Sequence, residues 1–419
     1  MSRSKVVRAL LIGGPMYDPL YERLPEFEAQ MGLKVDVIAQ LPHPELRATI
    51  KEEFSAARPD IDFISTHTKY APALAEWLAP LDKIVPGETL ADLLPRAAEL
   101  ARVDGKLLTI PRALDFKLLY YRKDLFENPQ SQDAYQKLFR RPLRVPVSWD
   151  ELLDVATFLT RPGMHGFLFP GRDEGLFGTF YEMLVSAGGE LFTPELEPVF
   201  DAPAGVWAAD RLTEIHFRRR ITPSDLTRWH YDEVSAAFRH GMAAMVCDWP
   251  GSHYLYMDPE SSKVAGNTGV AALPIGFTGR RAAYAGCHSF AIPRKAKNKE
   301  GAAALLRFFT SEESQVAEGR RGSVPVRSSA FDTVRREVST DPEDALRWDL
   351  LAQTMAEALI IPPRFAAYPP CEDALWQSLQ KAITGMLPPL AAVREAADMV
   401  RLIVRKSARK KGRSKAKRS

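Results

Sequence analysis

Side chains suited to binding a small polar molecule follow the ends of predicted strands. Thr66 and His67 end the third apolar run, Tyr17 follows the glycine loop after the first, and Asp248 and Trp249 end the run MAAMVC. Hydroxyl, imidazole and carboxylate groups exchange hydrogen bonds with a solute, and an indole offers a flat face for stacking. The chemistry that these residues predict is non-covalent recognition, with core packing as the alternative role for Trp249.

Further polar groups interrupt or follow predicted strands. Arg172 and Asp173 lie in a loop after a strand, where they either contact a ligand or form a solvated turn. Arg112 and Asp115 lie where an apolar segment stops at Pro111 and restarts at Phe116. They either contact a ligand or pair with each other.

Catalytic chemistry has little support in this sequence. The motifs GxSxG, HExxH and GxxxxGK[ST] are absent, the carboxylates are scattered, and one Gly-Gly pair is no dinucleotide fingerprint. The three cysteines, Cys247, Cys287 and Cys371, include no CxxC and no zinc spacing, and their odd number argues against a disulfide framework. We therefore expect no enzyme, no catalytic residue, no metal and no cofactor.

Composition is that of a soluble globular protein with a basic end. The 419 residues are 46% hydrophobic and 26% charged, with a net charge of +3 that is too small to imply a nucleic-acid or membrane partner. Residues 406–419 belong to a stretch dense in Lys and Arg without any acid, so we expect a disordered, solvated tail. No apolar run reaches the roughly 18 residues of a membrane span, and the segment MSRSKVVRALLIGGP indicates a first strand, not a signal peptide.

The first third of the chain alternates strands and helices. Apolar runs at 6–12, 34–39 and 61–65 predict strands, and the spacing of apolar residues in 17–31 and 45–57 predicts the intervening helices. This alternation indicates an α/β fold with a parallel sheet. In such sheets ligands bind beyond the carboxyl ends of the strands.

A central stretch, GKLLTIPRALDFKLLYYRKDLF at 105–126, combines a tight turn with two strand-like runs. Pro111 cannot donate to a sheet ladder, so we expect the first strand to stop there. The polar joint at 111–115 is either a hairpin or a hinge between two sheets, and a glycine joint at 276–286 forms a second candidate hinge.

Five further observations come from segments in collinear order: GKLLTIPRALDFKLLYYRKDLF, VPVSWDELLDVATFL, AAFRHGMAAMVCDWPG, AGCHSFAIPRKAKNKEGAAALLRFFTSEESQ and IIPPRFAAYPP. Together they resemble the bacterial extracellular solute-binding proteins, specifically the carbohydrate-type receptors of ABC importers. The resemblance implies a two-lobed, periplasmic-binding-protein-like α/β fold with crossover hinge strands and a ligand cleft between the lobes. The first lobe would hold 1–113 and 278–322, and the second 117–275 and 323–405. It also adds Gly286, Cys287, His288 and Arg321 to the candidate ligand-binding residues.

The resemblance further implies a monomeric receptor that captures a small polar solute, such as a sugar or oligosaccharide, by hinge closure. Its partner would be the membrane subunits of an ABC permease, and its place the periplasm or cell exterior, although no signal peptide is visible. Two alternatives stay open: a thiaminase-like enzyme on the same fold with a cysteine nucleophile, and a cytoplasmic ligand sensor. The solute could be a neutral sugar, an acidic sugar or a sugar phosphate.

Overall fold

The computed structural model describes residues 5–56 and 59–416, and the chain forms two compact units. Unit 1 comprises the described residues of Met1–Asp115, Gly286–Leu346 and Arg364–Ala366. Unit 2 comprises those of Phe116–Ala285, Arg347–Pro363 and Ala367–Ser419.

The chain leaves unit 1 after Asp115 and returns at Gly286, at the edges of the two segments predicted as joints. Residues 323–346 belong to unit 1, where the sequence assigned them to the second lobe. Asp92 of unit 1 explains this placement, because its carboxylate pairs with Arg327 at 2.7 Å and accepts the backbone N–H of Ser329 at 3.0 Å.

The regular elements of the described chain are as follows. The strands are β1 (Val6–Ile12), β2 (Lys34–Leu41), β3 (Phe63–His67), β4 (Arg102–Val103), β5 (Lys106–Leu107), β6 (Ile110–Phe116), β7 (Leu118–Arg122), β8 (Met245–Asp248), β9 (Thr268–Ala271), β10 (Ala283–Ala291) and β11 (Leu359–Ile360). The α-helices are α1 (Asp18–Tyr21), α2 (Leu24–Met31), α3 (His43–Ser55), α4 (Ala71–Leu74), α5 (Gly87–Ala91), α6 (Pro95–Leu100), α7 (Lys123–Phe126), α8 (Pro129–Phe139), α9 (Trp149–Leu159), α10 (Asp173–Ser186), α11 (Pro203–Thr213), α12 (Tyr231–Arg239), α13 (Ser252–Met257), α14 (Lys299–Phe309), α15 (Glu312–Gly319), α16 (Ser328–Glu337), α17 (Pro342–Glu357), α18 (Tyr368–Ile383) and α19 (Pro389–Ala416).

The sheet of unit 1 confirms the predicted parallel α/β arrangement. Its order is β2-β1-β3-β10, with β1 parallel to both β2 and β3, β10 antiparallel to β3, and β6 paired with β10. β3 runs two residues beyond its predicted end, which places Thr66 and His67 on the strand. The carboxyl ends of β1, β2 and β3 therefore lie at one edge of the sheet.

The single helix predicted over 17–31 is wrong, because the structure divides it into α1 and α2. Pro25 sits in the first turn of α2, where its missing N–H costs nothing and its ring disfavours a continuous helix. Gly32 ends α2 in the left-handed conformation at φ 62°, as the sequence predicts.

The predicted break at Pro111–Asp115 is also wrong, because β6 runs continuously from Ile110 to Phe116. The charged residues of this strand can be buried because each has a partner elsewhere: Arg112 pairs with Glu318, and Asp115 lies against His288. The tight turn predicted at Gly105-Lys106 lies one residue earlier, where Asp104 and Gly105 form a two-residue hairpin between β4 and β5 at φ 48° and 76°.

Unit 2 packs helices around a three-stranded sheet of order β8-β7-β9. α10 is buried along nearly its whole length and packs against α11 and α18. Ser148 caps α9 as predicted, because its hydroxyl accepts the backbone N–H of Glu151 at 3.2 Å.

The last helix, α19, continues to Ala416, where the sequence predicted a disordered tail from residue 406. Five apolar residues of its first half are buried and anchor the helix: Ala392, Val393, Ala396, Ala397 and Val400. The Ala, Arg and Lys residues beyond them have high helix propensity. Residues 417–419 lie outside the described part of the chain. No helix in that described part has both the length and the apolar character needed to cross a membrane.

Candidate functional site

A cross-strand histidine pair marks the carboxyl end of β3. His67 lies directly opposite His288 of the antiparallel strand β10, and the two rings contact edge to face with centroids 5.6 Å apart. A third imidazole, that of His43 at the start of α3, stacks on His288 at 4.9 Å and contacts His67 edge to face at 5.7 Å. These three residues form what we call the histidine cluster of unit 1.

His288 is the centre of this cluster. Its Nε2 lies 3.0 Å from the hydroxyl oxygen of Tyr17 and 3.1 Å from a carboxylate oxygen of Asp115. Its other ring nitrogen, Nδ1, is buried and has no hydrogen-bond partner among residues 5–56 and 59–416. A buried ring nitrogen without a partner carries a desolvation cost that a bound polar molecule would relieve.

Burial controls the protonation states here. It raises the pKa of the Asp115 carboxyl to about 7, against the opposing effect of the Arg112 charge. Burial also holds the pKa of His288 well below its usual range, and the neighbouring His43 and His67 lower it further. At neutral pH His288 is therefore uncharged and the Asp115 carboxyl is partly protonated, so both can form hydrogen bonds with a bound solute.

Gly286 makes room for the cluster. A Cβ atom at this position would lie 2.1 Å from Cε1 of His67, far inside contact distance. The absence of a side chain at Gly286 therefore lets the His67 ring lie against the backbone of β10.

Replacing Gly286 with alanine is expected to displace the His67 ring and destabilise the protein by about 1–3 kcal/mol, as overpacking does. Chemical denaturation measures this loss. Gly87→Ala is the matched control, since a Cβ there meets nothing within 4 Å. Equal stability of the two variants would show that the His67 ring does not depend on Gly286.

Arg112 is a buried structural residue of unit 1. Its guanidinium forms a salt bridge with Glu318, and both side chains are almost fully buried. The guanidinium carbon of Arg112 also lies 5.2 Å from the ring centroid of Tyr17, so Arg112 packs against that side chain and supports it. The alternative that Arg112 pairs with Asp115 is replaced by the pairing with Glu318.

The other candidates of unit 1 have different environments. Thr66 is buried and faces Ser289 across the ladder, one position from His67 and so on the other side of the sheet. Cys287 is fully buried, and its backbone N–H donates to the Thr68 hydroxyl at 3.2 Å. Arg321 is exposed and lies 3.7 Å from Glu22. Among the described residues, no side-chain hydrogen bond, ion pair or ring contact joins Cys287 or Arg321 to the histidine cluster.

Unit 2 carries an aromatic cluster around Trp249. The half-buried indole contacts the ring of Tyr231 at 5.0 Å and that of Tyr284 at 6.1 Å. The hydroxyl of Tyr231 is buried without a hydrogen-bond partner among the residues that the structure describes. A flat ring beside an unsatisfied hydroxyl suits a guest that has both an apolar face and hydroxyl groups.

Asp248, next to this indole, is occupied by the chain itself. One carboxylate oxygen accepts the backbone N–H of Trp249 at 2.8 Å, and the other accepts the hydroxyl of Tyr256. Burial raises the pKa of Asp248 to about 6. Its geometry makes it a support for Trp249.

The loop candidates of unit 2 stand at the start of α10. Arg172 and Asp173 form a loose ion pair at 3.4 Å, with the Arg172 side chain 38% exposed. The next residue, Glu174, lies 3.3 Å from His230, whose ring contacts Tyr231 at 4.6 Å. The start of α10 is thus linked through His230 to the aromatic cluster.

The cysteines do not have the environment of a nucleophile. Cys247 and Cys287 are fully buried, and burial raises the pKa of both thiols well above the ordinary value. A reactive cysteine needs an exposed, electropositive environment that lowers its pKa. Across residues 5–56 and 59–416, no group of three or more His, Cys, Asp or Glu side chains has the arrangement of a metal site.

Sequence reasoning missed His43, Tyr231 and Tyr284. His43 follows the carboxyl end of β2, so the rule that pointed to the ends of β1 and β3 would have found it. Tyr231 and Tyr284 carried no comparable signal, because only the fold brings them to the indole of Trp249.

The sequence of this chain matches a known protein family and individual relatives. The sequence profile of the family described as bacterial extracellular solute-binding protein matches residues 13–316. A probable ABC transporter-binding protein of Deinococcus radiodurans is 27% identical over 276 residues, which cover 64% of this chain and 62% of that protein. A mannitol-binding protein of Pseudomonas aeruginosa is 28% identical over 243 residues, covering 56% of this chain and 52% of that protein. This chain thus spans less than two thirds of the length of these two relatives.

The structural comparison agrees with the sequence match. Maltose-bound T. maritima MalE3 superposes with a TM-score of 0.83 at 26% identity, covering 95% of this chain and 100% of that one. The matched family consists of solute-binding proteins, the two relatives are named as binding proteins, and the solved structure holds maltose. This chain belongs to the bacterial extracellular solute-binding proteins and has their two-lobed periplasmic-binding-protein fold.

Proposed function

We propose that this protein is the receptor of an ABC importer, which captures a small polar solute by hinge closure and releases it unchanged. The observation that carries this proposal is the histidine cluster, where the buried Nδ1 of His288 has no partner among the described residues. The cluster stands at the carboxyl ends of β2 and β3, where α/β sheets bind ligands. Its groups bind hydroxyls and charges but include no activated nucleophile.

A sugar or polyol is the proposed solute class. The relatives named above include a mannitol-binding protein and a maltose complex, which lend support without fixing this chain's ligand. The aromatic cluster of unit 2 supports the same class, because a sugar ring presents an apolar face of C–H groups to an indole and hydroxyls at its rim.

The proposed binding residues fall into two sets. Those of unit 1 are the histidine cluster and the residues around it: Tyr17, His43, His67, Asp115 and His288. Three further residues, Thr66, Gly286 and Cys287, shape the strands that carry the cluster. Arg112 supports the side chain of Tyr17. Those of unit 2 are Trp249, Tyr231, Tyr284, Arg172 and Asp173, with Asp248 holding the indole. Arg321 remains a prediction of the family resemblance alone.

The proposed partners and place follow from the family. Delivery requires the membrane subunits of an ABC permease, and receptors of this family act outside the cytoplasm. We propose a periplasmic or extracellular monomer that contacts neither nucleic acid nor a cofactor.

A thermal-shift panel of sugars and polyols tests the proposed class. A solute at a hundredfold excess over its dissociation constant adds about 2.7 kcal/mol of stability. For domains of this size that corresponds to a rise in Tm of roughly 5–10 °C. We expect such a rise for at least one of mannitol, glucitol, ribitol, maltose and their acid or phosphate derivatives, and its absence throughout the panel would contradict the proposal.

A further inference from the structure

We propose that the histidine cluster of unit 1 binds an anionic group on the solute, a carboxylate or a phosphate monoester, so that the ligand is an acidic or phosphorylated polyol and not a neutral sugar. This inference rests on the proposed function, because it names the charge of the solute at the same site.

The cluster is bordered by cationic side chains. Lys69 Nζ lies 4.8 Å from the ring centroid of Tyr70, and the Arg47 guanidinium lies 5.3 Å from the same centroid. That ring in turn contacts His67 at 6.1 Å and His43 at 6.4 Å. Two cationic side chains therefore stand one aromatic ring away from the imidazoles.

The start of α3 adds a dipole of the same sign. This 13-residue helix begins at His43, and the preceding Pro42 offers no side-chain acceptor to its first turn. The N-terminus of a helix carries a partial positive charge and attracts anions. The His43 ring, at the first position of α3, stacks on His288 at an interplanar angle of 17°, which brings the helix start to the cluster.

His288 supplies an independent observation that points to a ligand. Its side chain is only 9% exposed, yet Nδ1 lacks a hydrogen-bond partner among residues 5–56 and 59–416. An imidazolium donates from both ring nitrogens, so protonation would let Nδ1 donate to a bound oxyanion while Nε2 keeps its contacts with Tyr17 and Asp115.

The charge balance around His288 is positive. The groups that act on it are His43 of α3, His67 and Lys69 at the end of β3, Arg112 and Asp115 of β6, and Tyr17 before α1. Glu318 neutralises Arg112, which leaves Asp115 as the carboxylate in contact with the ring. Burial first, and then the neighbouring His43, His67, Arg112 and Lys69, hold the pKa of His288 below its usual range, and an anion bound at Nδ1 would raise it again.

Calorimetry on matched triplets tests the charge of the solute. Each triplet keeps one carbon skeleton and changes one end: glucitol, gluconate and glucitol 6-phosphate, then the mannitol and ribitol equivalents. We expect the carboxylate or the phosphate of a triplet to bind at least about tenfold more tightly than its neutral polyol, since a charged hydrogen bond contributes roughly 1.5–3 kcal/mol.

The outcomes separate this inference from the proposed function. Tighter binding of the carboxylate alone, of the phosphate alone or of both supports the anionic solute and identifies its source. Equal or tighter binding of the neutral polyol overturns the anionic solute and leaves the receptor function intact. Silence across every triplet overturns the anionic polyol, and it overturns the proposed receptor function as well if maltose also fails to raise Tm.

Substitutions and the pH dependence of binding test whether the preference for the acid arises at the histidine cluster. His43→Gln, at a half-buried position, and His288→Gln should each reduce the preference for the acid at least about fivefold, whereas His240→Gln, an exposed histidine of unit 2, should leave it unchanged. Gluconate affinity should rise about tenfold from pH 8 to pH 6, because binding of the anion raises the pKa of His288 so that the complex takes up a proton, and because Asp115 loses its charge as the pH falls. An acid preference that survives both substitutions and does not vary with pH would overturn the assignment to this cluster.

Discussion

Replacing Glu182 with alanine is expected to destabilise the protein by about 3–5 kcal/mol, because it leaves the ammonium group of Lys117 buried without a counter-charge. Both side chains are completely buried in unit 2, with Nζ and a carboxylate oxygen 2.8 Å apart. Burial raises the pKa of Glu182 even beside that ammonium group. The second carboxylate oxygen accepts the backbone N–H of Tyr284 at 3.1 Å, so the substitution also removes the partner of a buried donor.

Chemical denaturation of Glu182→Ala and of the double variant Lys117→Met/Glu182→Leu measures this effect. The double variant should recover most of the loss, since apolar residues of similar volume often replace a buried ion pair at little or no cost. A single variant within about 1 kcal/mol of the parent would mean that the pair is solvated in solution.

Replacing Trp249 with alanine is expected to weaken solute binding by roughly 30- to 150-fold, which corresponds to about 2–3 kcal/mol for an aromatic anchor. The indole stands at the centre of the aromatic cluster, against Tyr231 and Tyr284. Calorimetry with the solute that raises Tm measures the loss.

Trp249→Phe is the matched control, because it keeps an aromatic face at the same backbone position. It should retain most of the affinity. Should the alanine variant instead bind as tightly as the parent, the indole would belong to the packing of unit 2 and not to the site.

The sequence was sufficient for the architecture and for two of the three histidines of the cluster, His67 and His288. Periodicity identified the first three strands and the helix before β3, because adjacent residues decide such elements. The rule that α/β sheets bind ligands beyond the carboxyl ends of their strands then pointed to Tyr17 and His67. The same rule, applied to β2, would have added His43.

Pairings between distant residues could not be predicted. Arg112 and Glu318 are 206 positions apart, and without that partner the polar residues of β6 suggested a broken strand. His67 and His288 are likewise joined only by the register of β3 and β10. A lone sequence gives residue types but not the register that brings them together.

At the basic end of the chain, the sequence pattern predicted disorder where the structure has a helix. Charge density suggested disorder from residue 406, yet α19 continues through that boundary because its buried first half fixes the helix and its later residues favour it.

The measurement that tests the account most directly is calorimetric titration of the purified protein with the solute identified by thermal shift, followed by chromatography of the recovered solute. We expect one solute bound per chain, chemically unchanged after release. Recovery of a converted product would contradict a receptor that only binds, as would the absence of saturable binding.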